Sequence, residues 1–180
     1  MKGVIAKCLE EMMITKFGAP TWKEVLDQAR LPRQTIFFNV QDIDDDVVKK
    51  TLQAAVAVTR VSSAQLYDMF GEYWVNTFAP KIYAPHYQGI TTARDFMLKM
   101  DKVHLITTQT MTNAFPPRFE YRWEDAHTLV MKYKSSRGMM DLMVGLIRGV
   151  GIYYKEDLAV TKLSEDEVRV GFPLREERHE

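Results

Sequence analysis

Apolar residues near the start of the chain, Val4, Ile5, Cys8, Leu9, Met12, Met13 and Phe17, recur at spacings of three and four. That period predicts an amphipathic first helix. Gly18-Ala19-Pro20 ends it, and Thr21 is expected to cap a second helix from Trp22 to Arg30, with Glu24 at the capping-box position. Leu31-Pro32-Arg33 reads as a break. The run "QDIDDDVVKK" puts aspartates where a helix N-terminus favours negative charge, so a helix is expected from Asp45 to Thr59. These acids read as a solvated cap; a calcium loop would alternate its ligands around a glycine, which is missing here. Ser62-Ser63 opens an aromatic-rich helix down to Phe78. After a looser stretch with Pro80, Pro85 and Gly89, Thr91-Thr92 opens a long helix through about Met111, stopped between Asn113 and Pro117.

The period then changes. "RFEYRWED" and "HTLVMKY" alternate like two strands joined by a turn at Glu124-Asp125. "GMMDLMVGLIRGVGIYY" returns to helical spacing, and "LAVTKL" and "EVRVGF" form a final hairpin around Ser164-Glu165-Asp166. Helices first, then strands interrupted by a helix, make an α+β pattern. No repeat or long linker divides the chain, so one domain is expected.

Composition narrows the function classes. Lys+Arg and Asp+Glu balance at 24 each, which argues against a surface devoted to nucleic acid or anionic lipid. The single cysteine, Cys8, rules out an internal disulfide or a multi-cysteine zinc site. The opening "MKGVIAKCLEEMMITKFG" is interrupted by Lys7, Glu10 and Glu11 and reads as neither a signal peptide nor a membrane span. A cytoplasmic protein without membrane insertion is the resulting expectation.

Two places offer chemistry. On the long helix Phe96, Met100, Val103, His104, Thr107 and Met111 share one side, so His104 points inward. It is either a core histidine satisfied by a backbone carbonyl or a ligand for a metal or a heme iron. Further on, Tyr133, Ser135 and Arg137 project to one side if the segment stays extended. They are either a surface cluster with a local acid or a receptor for carboxylates, which arginine grips bidentately. A helix starting near Gly138 would add free backbone donors. His86, His127 and His179 read as solvated loop, turn and tail residues.

Taken together, "MKGVI", "DIDDD", "FGEYWV", "MDKVHL", "PPRFE", "YKSSR" and "GLIRG" resemble the heme nitric oxide/oxygen binding (H-NOX) family, in its order and spacing, over nearly the whole chain. "YKSSR" is the local form of the family's Y-x-S-x-R signature. The resemblance implies an H-NOX fold, with a helical part at 1–60 and a heme-bearing α/β part at 61–180, and heme b (iron protoporphyrin IX) buried between helices and sheet. It assigns His104 as the axial ligand of the heme iron and Tyr133, Ser135 and Arg137 as the contacts of the heme carboxylates. Pro117 is implied to press on the porphyrin, and Ile5, Leu9, Trp74, Phe78, Leu142 and Leu146 to line the heme or its distal side.

The resemblance also bears on the ligand. Dioxygen-binding relatives carry a distal tyrosine where this chain has Leu142, and bound dioxygen, with its partial negative charge, needs such a donor. Leucine supplies none, so a bacterial sensor of nitric oxide and carbon monoxide that discriminates against dioxygen is expected. Trp74 stands where dioxygen-binding relatives are polar and brings an indole N–H. The implied signal is rupture of the iron–His104 bond followed by a conformational shift, read by a histidine kinase, a diguanylate cyclase or a chemotaxis receptor module. The competing readings are a dioxygen-binding H-NOX sensor and a carrier of heme or another carboxylate ligand. An enzyme is not expected, since no distal histidine–arginine pair or nucleophile motif accompanies His104.

Overall fold

A computed structural model describes residues 1–174, so His179 and most of the charged tail lie outside the described residues. Helix α1 (Val4–Phe17) buries Cys8, Leu9, Met12 and Met13 and ends at Gly18, whose φ of 88° suits only glycine. Helix α2 (Ala19–Gln28) starts earlier than the periodicity suggests. Pro20 fills its first turn, where no N–H is missed. Thr21 therefore lies inside the helix and caps nothing; its hydroxyl donates to the Phe17 carbonyl at 2.8 Å. Helix α3 (Asp45–Thr59) begins where the aspartates place it, with Asp44 accepting from the Asp46 amide. Helix α4 (Ser63–Tyr73) carries a complete capping box between Ser62 and Gln65.

The expected continuous helix to Phe78 is interrupted. Trp74–Phe78 winds as one π-helical stretch before α5 (Ala79–Ile82) and a short 3-10 turn at Ala84–His86. Asn76 secures the stretch by donating to the carbonyls of Glu72 (2.9 Å) and Gly149 (3.1 Å). Helix α6 (Ala93–Thr110) is capped by Thr92, which accepts from the Asp95 amide. Strands β1 (Arg118–Trp123) and β2 (Thr128–Lys134) form the first hairpin, α7 (Met140–Tyr154) follows, and β3 (Ala159–Lys162) with β4 (Glu167–Gly171) closes the second. The four strands make one antiparallel sheet in the order β1-β2-β4-β3, so the two hairpins join through β2 and β4.

The apolar residues segregate into two clusters. One packs α1–α4 around Leu9, Met12, Leu66 and Phe70; the other packs the sheet residues Leu129, Met131, Val168 and Val170 against Phe96 and Met97 of α6 and Met143 and Ile147 of α7. Trp74 and Leu146 pack against both. Helices α4 and α7 cross at backbone distance, because Gly71, Gly145 and Gly149 meet there without side chains. No helix of the described residues is long and apolar enough to cross a membrane.

Candidate functional site

Between the two clusters lies a cavity of about 270 Å³. Its wall comes from α1 (Val4, Ile5), the π-helical stretch (Trp74), α6, the α6–β1 loop and α7 (Leu142, Met143, Leu146), and it is predominantly apolar. Of the residues singled out in the sequence, Ile5, Trp74, His104, Pro117, Tyr133, Arg137, Leu142 and Leu146 line it. Leu9 and Phe78 are buried in the neighbouring core without forming the wall. Ser135 is also off the wall. The chain turns after Lys134 and does not stay extended, and the Arg137 amide donates to Ser135 Oγ at 3.3 Å. Ser135 thus shapes the turn that delivers Arg137. Helix α7 starts at Met140, later than Gly138.

His104 is fixed from one side only. Its Nδ1 lies 2.7 Å from the Pro117 carbonyl oxygen. A carbonyl can only accept, so Nδ1 carries the proton and Nε2 keeps a lone pair. Burial lowers the pKa of the ring, more than the Pro117 carbonyl and the Asp101 carboxylate raise it. The imidazole is therefore neutral at neutral pH. A neutral ring, oriented through a carbonyl on one nitrogen and free to donate from the other, is the usual form of a metal-bound histidine.

The Pro117 carbonyl is itself held. Asp101, one turn before His104 on α6, accepts from Arg118 Nε (2.7 Å), an Arg118 terminal nitrogen (2.6 Å) and the Phe119 amide (2.8 Å). Tyr121 adds a hydroxyl bond to the Met97 carbonyl at 2.8 Å. The arginine of the "PPR" sequence thus clamps β1 to the histidine helix. The sequence reading missed Asp101, whose signal was an acid three residues before an inward histidine; nothing local pointed to its arginine partner.

Polar groups gather elsewhere on the rim. Arg137 Nε donates to Asp45 Oδ2 at 2.9 Å, and a terminal nitrogen of Arg137 donates to the Phe115 carbonyl. The other Asp45 oxygen accepts from the Met1 amino group at 2.6 Å. Asp45 is therefore more than a solvated cap. Burial raises its pKa, but the amino group and Arg137 outweigh that and hold it below the usual carboxylate range. Two cations share this one carboxylate, which leaves a positive surplus at the cavity edge. The Tyr133 hydroxyl has no hydrogen-bond partner among the described residues and sits on the same wall.

An apolar slot with imidazole nitrogen on its wall and cationic, hydroxylic groups at its rim fits a flat, apolar metal macrocycle bearing carboxylates. These residues therefore fit a heme. His127 lies in the β1–β2 turn, its amide on Asp125 Oδ1. His86, expected to be solvated, instead lines the cavity.

A family model described as Haem-NO-binding matches residues 2–162. Among solved structures, one concerned with the molecular mechanism of H-NOX activation is 25% identical and superposes with a TM-score of 0.82, covering 98% of this chain and 100% of that one. An oxygen-binding H-NOX domain related to soluble guanylate cyclases, solved as its oxygen complex, is 25% identical with a TM-score of 0.80 and full coverage of both chains. A point mutant of the T. Tengcongensis H-NOX, 24% identical, shares the fold with a TM-score of 0.80, covering 96% of this chain and 97% of that one.

Proposed function

Because this chain belongs to the Haem-NO-binding (H-NOX) family, we propose that it is a heme-based sensor of nitric oxide and carbon monoxide that discriminates against dioxygen. Domains of this family are heme-binding sensors; the choice of gas, the signal and its reader are our reading. The observation that carries it is His104, neutral, anchored through Nδ1 to Pro117 and opening on an apolar cavity whose rim bears Arg137. Held there by His104, a heme would supply an iron able to bind a diatomic gas, and His104 would be the residue whose hold on that iron the gas alters.

His104 would supply the nitrogen that holds the iron, and Arg137 and Tyr133 would grip the carboxylates. The cofactor is heme b held without covalent attachment, since Cys8 is fully buried in α1 and no second cysteine exists to form a thioether pair. Leu142 and Leu146 present no hydrogen-bond donor, which disfavours dioxygen over nitric oxide and carbon monoxide. Trp74 belongs to a stack, with ring centroids 5.6 Å from Phe78 and 6.0 Å from Phe70.

Movement of His104 has a defined route out of the cavity. The ring holds the Pro117 carbonyl, the same loop offers the Phe115 carbonyl to Arg137, and Asn113 Nδ2 donates to Asp42 Oδ2 at 3.0 Å. Release of His104 shifts α6 and this loop, and with them the segment before α3, where Ile36, Phe38 and Val40 are exposed. A gas that favours one position of α6 over the other thereby changes the surface offered to a cytoplasmic partner such as a histidine kinase, a diguanylate cyclase or a chemotaxis receptor module.

The test is spectroscopic. Protein reconstituted with hemin and reduced should give the same absorption spectrum under air-saturated buffer, over the minutes before autoxidation, as under argon, and a different one with nitric oxide. Leu142→Tyr should introduce a change under air. A wild-type protein whose reduced spectrum shifts at once and reversibly in air would refute the selectivity, and one that takes up no hemin would refute the sensor. Asn113→Ala should leave these spectra unaltered while abolishing any gas-induced change in amide hydrogen exchange over residues 36–44; an undiminished response would show that the signal leaves by another route.

A further inference from the structure

A second imidazole reaches the same cavity. His86 ends the 3-10 turn Ala84–His86 and lines the wall beside Tyr83, whose ring centroid lies 6.1 Å from its own. Neither ring nitrogen has a hydrogen-bond partner among the described residues; only its backbone is engaged, the amide donating to the Tyr83 carbonyl at 2.9 Å and the carbonyl accepting from Lys99 Nζ at 3.3 Å. Burial, assisted by the Lys99 ammonium, lowers the pKa of the ring and keeps it neutral. Where the bound group is a heme, an uncommitted imidazole on the wall is a competent iron ligand.

We infer that His86 is a reserve axial ligand for the heme iron, taking the metal when His104 is not bound to it. This rests on the reading of the cavity as a heme site. The exchange is balanced: the coordinate bond to His104 Nε2 breaks and one to a His86 ring nitrogen forms. Both rings are neutral lone-pair donors, so no electron or proton is transferred. The backbone suits this role. His104 sits within an 18-residue helix, whereas His86 sits on a three-residue turn followed by Gly89, whose φ of 73° lies in open surroundings. Lys99 belongs to the His104 helix and holds the His86 carbonyl, so a shift of α6 moves the turn that carries His86. A reserve ligand would keep the cofactor bound after the signal has released His104.

Wild type, His86→Ala, His104→Gly and the double variant, each reconstituted with hemin, reduced and freed of added imidazole, separate the possibilities. The readout is the iron–nitrogen stretch in resonance Raman spectra, assigned to histidine by its shift on ¹⁵N-histidine labelling. The expected result is a label-sensitive band in wild type and in His86→Ala, a displaced but still label-sensitive band in His104→Gly, and its loss in the double variant. A His104→Gly protein with no such band, including one that holds no heme, overturns the assignment to His86 while leaving the heme site intact in wild type. A label-sensitive band that persists in the double variant overturns it as well. A wild-type protein that binds no heme overturns the heme reading itself, and this inference with it.

Discussion

Gly145→Ala is expected to lower the unfolding free energy by roughly 3 kcal/mol or more, among the largest losses available from adding a single methyl group. A Cβ at this position would stand 2.1 Å from the Tyr67 carbonyl oxygen and 2.5 Å from its carbon, and both are backbone atoms of α4. A flexible side chain could yield, but a helix backbone cannot, so α4 and α7 must separate. Their separation strips packing from Leu66 and Phe70 on one side and Leu142 and Leu146 on the other. Gly149 and Gly71 meet in the same way, with 2.3 Å between a Cβ on Gly149 and the Gly71 oxygen. Urea denaturation checks this: at a slope of about 2 kcal/mol/M the midpoint should fall by about 1.5 M. Gly89→Ala is the control. Its φ is positive but nothing lies within 4 Å of a Cβ, so only backbone strain of about 1 kcal/mol is expected. Equal midpoints for the two variants would mean that the helices can part at little cost.

Asp101→Ala should cost about 3 kcal/mol, the worth of a charge-assisted fork plus an amide left without its acceptor, and Asp101→Asn, whose Oδ1 can still accept from that amide, about 2 kcal/mol. Arg118 is 42% exposed and can be solvated once released, which keeps the loss below that of a fully buried pair. The effect reaches the site because the Asp101 bracket positions β1, and β1 follows directly on the Pro117 carbonyl that fixes His104. The pH dependence has a definite sign. The Arg118 guanidinium, helped by the Phe119 amide, holds the Asp101 carboxyl below its usual range, although burial opposes this. Folding thus favours the ionised form. The stabilisation is complete above the unfolded-state value near 4 and fades as pH falls through the lower folded value. Wild type should lose stability more steeply than Asp101→Asn below about pH 4. Parallel melting curves for the two proteins across pH 2–5 would remove Asp101 from the acid response.

Much of the fold was legible because its signals are local. The aspartates before α3, the Ser62-Ser63 start of α4 and the change from a helical to an alternating period after Pro117 each lie within a few residues of what they specify. Pro20 misled the reading of α2, since it is as compatible with a helix's first turn as with a break. The π-helical stretch gave no signal, because WVNTF has an ordinary helical pattern. At the site, periodicity placed His104 inward, and the structure brings it to one cavity with Tyr133 and Arg137. Periodicity could not separate Leu142 and Ile5, on the wall, from Leu9 and Phe78 behind it, since an apolar face looks the same against a cavity as against a core. The partner of Arg137 was equally hidden: Asp45 lies 92 residues away, and no local pattern links them.

The five residues from Trp74 to Phe78 change the phase of a helix that otherwise runs from Ser63 to Ile82. A π turn takes up one more residue than an α turn, so everything after it is rotated by about 100° relative to an uninterrupted helix. One reading frame before the turn lets Gly71 meet α7, and a second after it directs Ala79 and Tyr83 to the cavity. No single α-helical frame would serve both. The length of this segment is therefore under tighter constraint than its composition: the loss of one residue would cancel the phase change, whereas an exchange of one apolar residue for another would preserve it.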